Sequence, residues 1–390
     1  MERANTNRMT TLLVVPMLCG AGALAPSGSA LAQSTCDDWT QVETGGPPQR
    51  QNHDMAYDGQ NIVMYAGQSG GVNYDDCWVW DGTRWSLTDA RTPGPRNVHK
   101  MAYHEASGRV ILFGGSNGGA LGDTWAWDGF AQNWTELSPT FAPDPRFNHA
   151  MAYDAAREEI VLFGGFGAVR YNDTWVFDGE QWEQKFPATS PPGRNGHAMA
   201  YDPVRERIVI FGGFSGPRRN DTWEWDGSDW VEVAIGGPSG RQYTNMDWDP
   251  SRQAIILAGG QTGPGTLDRV EDTWAYDGVS WTPLGVTGFG ARDQHCVEYY
   301  PDAEQLVLHG GYGGATGGGG TGVLADTWAF ACDEGCRADI DGDGSLTLFD
   351  FLMFQNLFDA GDLAADFDGD GALTLFDFLT FQNEFDAGCE

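Results

Sequence analysis

One stretch of sequence is written six times along this 390-residue chain. Each copy carries Arg-x-x-His-x-Met-Ala-Tyr-Asp, then Ile-Val-Leu-Phe-Gly-Gly, then Asp-Thr-Trp-x-Trp-Asp-Gly-x-x-Trp. The third copy is the fullest: Arg146, His149, Met151, Tyr153 and Asp154, then Ile160 to Gly165, then Asp173, Thr174, Trp175, Phe177, Asp178, Gly179 and Trp182. The others begin at Arg50, Arg96, Arg194, Arg241 and Arg292, so the period is about 46 to 51 residues, the range of propeller blades. A single unit of this kind cannot bury its apolar strands alone; six stacked around an axis can.

Within a unit, the alternating apolar pattern predicts four strands: an inner one at His-x-Met-Ala-Tyr, a second at Ile-Val-Leu-Phe, a third at Thr-Trp-x-Trp and a fourth around the last Trp. The second is apolar on both faces, as a strand between two neighbouring blades must be. Asp-Gly between the third and fourth strands is a hairpin signal. The sixth copy stops at Asp326-Thr327-Trp328-Ala329-Phe330-Ala331-Cys332 without a final Trp, and Cys36-Asp37-Asp38-Trp39-Thr40-Gln41-Val42 supplies the missing strand. The N-terminal strand is therefore expected to close the ring. Cys36 and Cys332 then fall at one position of the broken hairpin, which predicts a disulfide between them. By chain entropy a loop of that length is stabilised by about 4 to 5 kcal/mol.

The fold class is thus all-β with a small appendage. The first 32 residues read as a cleaved secretory signal, with Arg3 and Arg8 ahead of an apolar stretch and Ala30-Leu31-Ala32 at the cleavage site. Residues 33–332 make the propeller and 333–390 the appendage. No later run is long and apolar enough for a membrane span. A net charge of −33 disfavours nucleic acid as a partner. Without Cys19, six cysteines remain, an even number that suits disulfides in an exported, secreted or cell-surface protein.

The appendage holds two acidic twelve-residue loops about 27 residues apart. The first offers Asp339, Asp341, Asp343, Ser345, Thr347 and Asp350; the second Asp366, Asp368, Asp370, Ala372, Thr374 and Asp377. Carboxylates at positions 1, 3, 5 and 12, glycine at 6 and a backbone carbonyl at 7 form the oxygen shell that a hard cation needs, so two calcium ions are expected. A helix follows each loop, over 348–358 and 375–385.

The repeats resemble the kelch repeat of galactose-oxidase-like propellers, from Cys36 to Cys332. That resemblance implies a six-bladed kelch propeller and leaves activity open, since such propellers serve as binding scaffolds, a copper oxidase and sugar epimerases. The C-terminal duplicate resembles a dockerin of the type ending in Gly388-Cys389, which implies attachment to a cohesin-like or other docking protein. Cys336 and Cys389 bracket this small module and are the pair to staple it. Positions 10 and 11 are Leu348-Phe349 and Leu375-Phe376, where cellulosomal dockerins often carry small hydroxyl residues.

Residues present in every blade read as scaffold. His53, His99, His149, His197 and His295 recur at one position with Thr244 in the fifth blade, and one Arg and one Asp per blade match the count of internal ion pairs. Function is expected where the repeat breaks. Loops between second and third strands carry Arg170 and Tyr171, Arg218 and Arg219, and Arg269, which predict a site for an anionic ligand such as an acidic glycan. The alternative is a carbohydrate-active enzyme of oxidase or epimerase type. For that reading His104, His309 and Glu298 have no spacing that unites them. Cys77 and Cys296 read as a mutual disulfide or two buried thiols.

Overall fold

Each Ile-Val-Leu-Phe run is flanked on both sides by other strands, and the burial follows. In the computed structural model Ile62 to Tyr65, Val110 to Phe113, Ile160 to Phe163 and Ile208 to Phe211 have essentially no exposure. The structure describes residues 39–387, apart from 43–45, 234–235, 266–267, 287, 315–320, 332–337, 339, 341–346, 362–364, 366 and 368–372. All of them fall in one compact unit, Thr35–Glu390.

Among the described residues six four-stranded antiparallel sheets form the blades. Blade 3 shows the plan: Ala150–Asp154, Glu159–Phe163, Thr174–Phe177 and Trp182–Lys185, in sequence order from the channel outward. The turn before Trp182 is made by Asp178, whose Oδ1 accepts the N–H groups of Glu180 and Gln181 at 2.9 and 2.7 Å. Gly179 follows it at φ 96°, and a Cβ there would lie 2.9 Å from His104 of the preceding blade.

The sixth blade is composite, as the sequence predicts. Its inner strands are Cys296–Tyr300, Gln305–His309 and Thr327–Ala331, and its outer strand is Thr40–Val42, in register Thr40 to Ala329, Gln41 to Trp328 and Val42 to Thr327. Trp39 is buried against Phe289 and stacks on Phe330 at 5.0 Å. Cys36, Cys332, Cys336 and Cys389 lie outside the described residues.

Neighbouring blades are fastened by the tryptophan of the fourth strand. Its Nε1 donates to the threonine hydroxyl that opens the third strand of the blade before: Trp85 to Thr327, Trp182 to Thr124, Trp230 to Thr174, Trp281 to Thr222 and Trp39 to Thr273, all 2.9 to 3.1 Å. In blade 1 Cys77 stands where the threonine would be, so Trp134 Nε1 meets a sulfur, a weaker acceptor, in place of a hydroxyl. Cys77 is a buried free thiol in the interface of blades 1 and 2.

The C-terminal helices are Leu348–Ala360 and Leu375–Ala387. The first runs two residues past Phe358, the end expected from sequence, and Gly361, at φ 72°, caps it by donating its N–H to Leu357 and Phe358. The helices pack on each other through Phe354 and Phe381, stacked at 4.1 Å, with Phe367 edge-on to both.

Candidate functional site

Six inner strands surround a channel with a cavity of about 350 Å³. At one end each strand is preceded by a residue in the left-handed region: Asn52, Val98, Asn148, Gly196, Tyr243 and Gln294, at φ 50 to 65°. Their backbones form a closed circle. Asn52 donates to Gln294, Gln294 to Tyr243, Tyr243 to Gly196, Gly196 to Asn148, Asn148 to Val98 and Val98 to Asn52, at 2.8 to 3.0 Å. This girdle sits at the end of the channel that bears the loops between second and third strands, as the Phe147–Phe166 and Asn195–Phe214 bridges require.

Those loops hold the arginines singled out in the sequence, and their guanidinium groups reach across to the next blade. Arg170 Nε donates to Asn195 Oδ1 at 2.9 Å and its guanidinium lies 5.0 Å from the Phe214 ring. Arg218 donates to Gln261 Oε1 at 3.0 Å and to the Gly263 carbonyl at 2.7 Å. Arg269 pairs with buried Asp293 at 3.0 Å and lies over Tyr312. Tyr171 covers the guanidinium of Arg146 at 4.0 Å, and Arg219 donates to Ser215. Blades 3 to 6 are therefore laced together on this face by three of the arginines expected to await a ligand. Of the glycine-rich loop of blade 6, Tyr312–Gly314 and Thr321–Val323 form a hairpin on Arg292–Asp293, and residues 315–320 lie outside the described residues.

The residues repeated in every blade are scaffold. Arg50, Arg96, Arg146, Arg194, Arg241 and Arg292, almost wholly buried, each grip the blade aspartate with two nitrogens: Asp76, Asp123, Asp173, Asp221, Asp272 and Asp326. Burial alone would raise the Asp221 carboxyl, but the hydrogen bonds and charge of Arg194 outweigh it and hold it below the usual carboxylate range. His53, His99, His149, His197 and His295 are buried with neither ring nitrogen hydrogen-bonded, and burial pushes each well down, His197 and His295 to about 3.

What the repeat does not share lies along the inner strands. The position after the repeated histidine, or after Thr244 in blade 5, reads Asp54, Lys100, Ala150, Ala198, Asn245 and Cys296 around the ring. Two residues further, about 7 Å along a strand, the ring reads Ala56, Ala102, Ala152, Ala200, Asp247 and Glu298. Blades 3 and 4 thus give the channel a wall of alanine, while blades 5, 6, 1 and 2 give it a polar one.

The first layer is a hydrogen-bonded chain across four blades. Asn245 Nδ2 donates to Cys296 Sγ at 3.4 Å, the thiol donates to Asp54 Oδ1 at 3.4 Å, and Lys100 Nζ donates to the same oxygen at 2.6 Å. Asp54 Oδ2 accepts the Met101 N–H at 2.6 Å. Burial first, then the charge of Asp54, push the Cys296 thiol well above its ordinary value, so it remains a protonated donor. Burial also raises Asp54 above the usual range, against the pull of Lys100.

In the second layer Asp247 accepts the N–H groups of Tyr299 at 2.7 Å and Trp248 at 2.8 Å, and Glu298 accepts that of Tyr57 at 2.7 Å. These carboxylates cap strand edges that would otherwise present bare N–H groups to the channel. Burial and then the charge of Asp247 drive Glu298 well up; burial pushes Asp247 up to about 6.

Sequence reading named Glu298 and Cys296 without uniting them and passed over Asp54, Lys100, Asn245 and Asp247. The signal was present in the repeat itself: read position by position, the inner strands depart from consensus at these six residues. Cys77 and Cys296 are both free and buried, in separate clusters, so the thiol reading of the pair is the one the structure has. His104 joins Ser107 and the Glu158 carbonyl, and His309 joins Thr327, each as local structure.

Comparison with known proteins agrees with the architecture. A family model described as the KLHDC2/KLHL20/DRC7 kelch-repeats domain matches residues 83–226 and 139–311. No curated protein matches the chain. Among solved structures, the one titled "Structure of YjhT" superposes with a TM-score of 0.56 at 16% identity, over 73% of this chain and 95% of that one. That likeness speaks to fold alone. Because the family matches together span more than half of the residues and fall on the blades, the chain belongs to the kelch-repeat family.

Proposed function

We propose that the chain is an exported binding scaffold: a kelch propeller that presents ligand-binding surface, carried by a calcium-dependent, dockerin-like C-terminal module that docks to a cohesin-like partner. The propeller fold supports the scaffold role. The attachment rests on the identical starts of the two C-terminal helices. Asp350 and Asp377, at position 12 of each acidic loop, are fully buried. In each, Oδ2 accepts the N–H of the loop threonine, Thr347 at 2.8 Å and Thr374 at 2.6 Å.

A carboxylate turned inward at the end of an all-oxygen donor set fits a hard cation. Asp350 and Asp377 would close the two shells, together with Thr347, Thr374 and the loop carboxylates, which lie outside the described residues. Calcium would neutralise the mutual repulsion of those carboxylates and order the loops ahead of the helices. Leu348 and Phe349, and their counterparts Leu375 and Phe376, are each about 70% exposed. This supports an apolar docking face where cellulosomal dockerins carry hydroxyl residues.

Calcium titration of the full chain tests this reading. About two ions per chain, with helix content lost on chelation while the propeller melt stays in place, is the expected result. No calcium uptake, or helices indifferent to chelator, sinks it.

An acidic glycan is the ligand class that the cationic loops of blades 3 to 5 favour. Replacing Arg218 and Arg219 with Ser is expected to abolish binding on an acidic-glycan array, and an unchanged array profile rejects that ligand. The enzyme alternative gains support from the unrepeated cluster Asp54, Lys100, Cys296 and Glu298 in the channel, and turnover of a sugar by the purified chain would establish it.

A further inference from the structure

The channel has a composition opposite to that of the loops above it. Its lining contains one lysine and no arginine, and that lysine, Lys100, is spent on Asp54 at 2.6 Å. Its histidines are buried, apolar in surroundings and neutral. The Asp247 and Glu298 carboxyls therefore face a low-dielectric cavity without a counterion of their own; burial pushes both toward the protonated form, and a positive charge seated beside them favours the charged one. Across the ring Ala102 stands opposite Asp247 and Ala152 opposite Glu298, Ala198 and Ala200 of the neighbouring blade 4 leave further room, and one aromatic residue per blade, such as Tyr153, Tyr201 and Trp248, lines the far end.

We propose that this channel binds a small organic cation, an alkylammonium ion, seated against the alanine wall with its charge toward Asp247 and Glu298 and its alkyl groups among the aromatic residues. The cavity of about 350 Å³ lies at the lower end of small-molecule sites. An inorganic cation fits less well, because both Asp247 oxygens and one of Glu298 already accept backbone N–H groups. An alkylammonium needs charge and ring faces more than free lone pairs. An anion meets two carboxylates. This inference stands apart from the docking and glycan readings, and its test touches neither.

The test is titration calorimetry of the full chain with choline chloride and with ethylammonium chloride, and with sodium acetate and magnesium chloride for comparison. One of the two organic cations is expected to bind one to one with Kd below about 1 mM. The double variant Asp247→Asn with Glu298→Gln should weaken it about tenfold or more. Ala200→Leu, which narrows the alanine wall beside Asp247 and leaves the carboxyls in place, should do the same in protein that still melts cooperatively, and decides the matter if the double variant does not fold. Absence of saturable heat with either cation up to about 10 mM overturns the proposal. So does tighter binding of acetate or magnesium, or an affinity that Ala200→Leu leaves unchanged.

Discussion

His149 is buried edge-on to Phe113 with no polar partner, and four more histidines repeat its situation. A ring held neutral by burial refuses the proton that the unfolded chain accepts below about 6.5. Folded stability therefore falls as pH drops from 6.5 toward 3, the values that bracket His197 and His295. Each such ring contributes a slope of ~1.4 kcal/mol per pH unit in that window. Asp247, pushed up to about 6, takes its proton in the folded state and offsets part of the loss. Denaturant midpoints are expected to fall steeply from pH 7 to 5, and His197→Phe should remove one histidine's share of the slope; an unaltered slope refutes the assignment. The arginine ladder predicts a different signature. Arg146→Ala leaves Asp173 unpaired and is expected to cost about 3 to 5 kcal/mol at pH 7. Arg146→Lys should recover only part of that, because an ammonium cannot make the two-pronged contact.

Between elements, the tryptophan-to-threonine bond is the recurrent joint, and Cys77 is its one defect among the described residues. Cys77→Thr gives Trp134 Nε1 a hydroxyl acceptor in place of a sulfur and is expected to raise stability by about 1 kcal/mol, read as a shift in thermal midpoint. A destabilised variant would show that the sulfur packs better than the hydroxyl bonds. At this scale the chain was easy to read in some places and opaque in others. Strands announced themselves because both faces of Ile160 to Phe163 are buried and the sequence must be apolar at every position. The polar network of the channel did not, since Asp54 and Cys296 are 242 residues apart and meet only when the ring closes. The partners of the loop arginines were hidden for a related reason: Asn195, Gln261 and Asp293 each belong to the neighbouring blade and meet Arg170, Arg218 and Arg269 only in the folded ring.

For the whole molecule, closure is the step on which the rest depends, and it hangs on three paired residues and Trp39. Trp39→Ala is expected to cost about 3 to 5 kcal/mol, much as Trp182→Ala would. Only the first should also expose the joint to proteolysis, because blade 3 is continuous and blade 6 is not. Cleavage patterns that do not distinguish the two variants would argue that the Cys36–Cys332 link expected from sequence carries the joint by itself. The circle of hydrogen bonds at the channel neck has a subtler effect. Peptide dipoles aligned along a helix add up and leave partial charge at its ends. Six arranged head to tail around a circle have no ends, and their vectors cancel. The neck therefore projects almost no field along the axis, and whatever the channel distinguishes by charge it must distinguish with side chains alone.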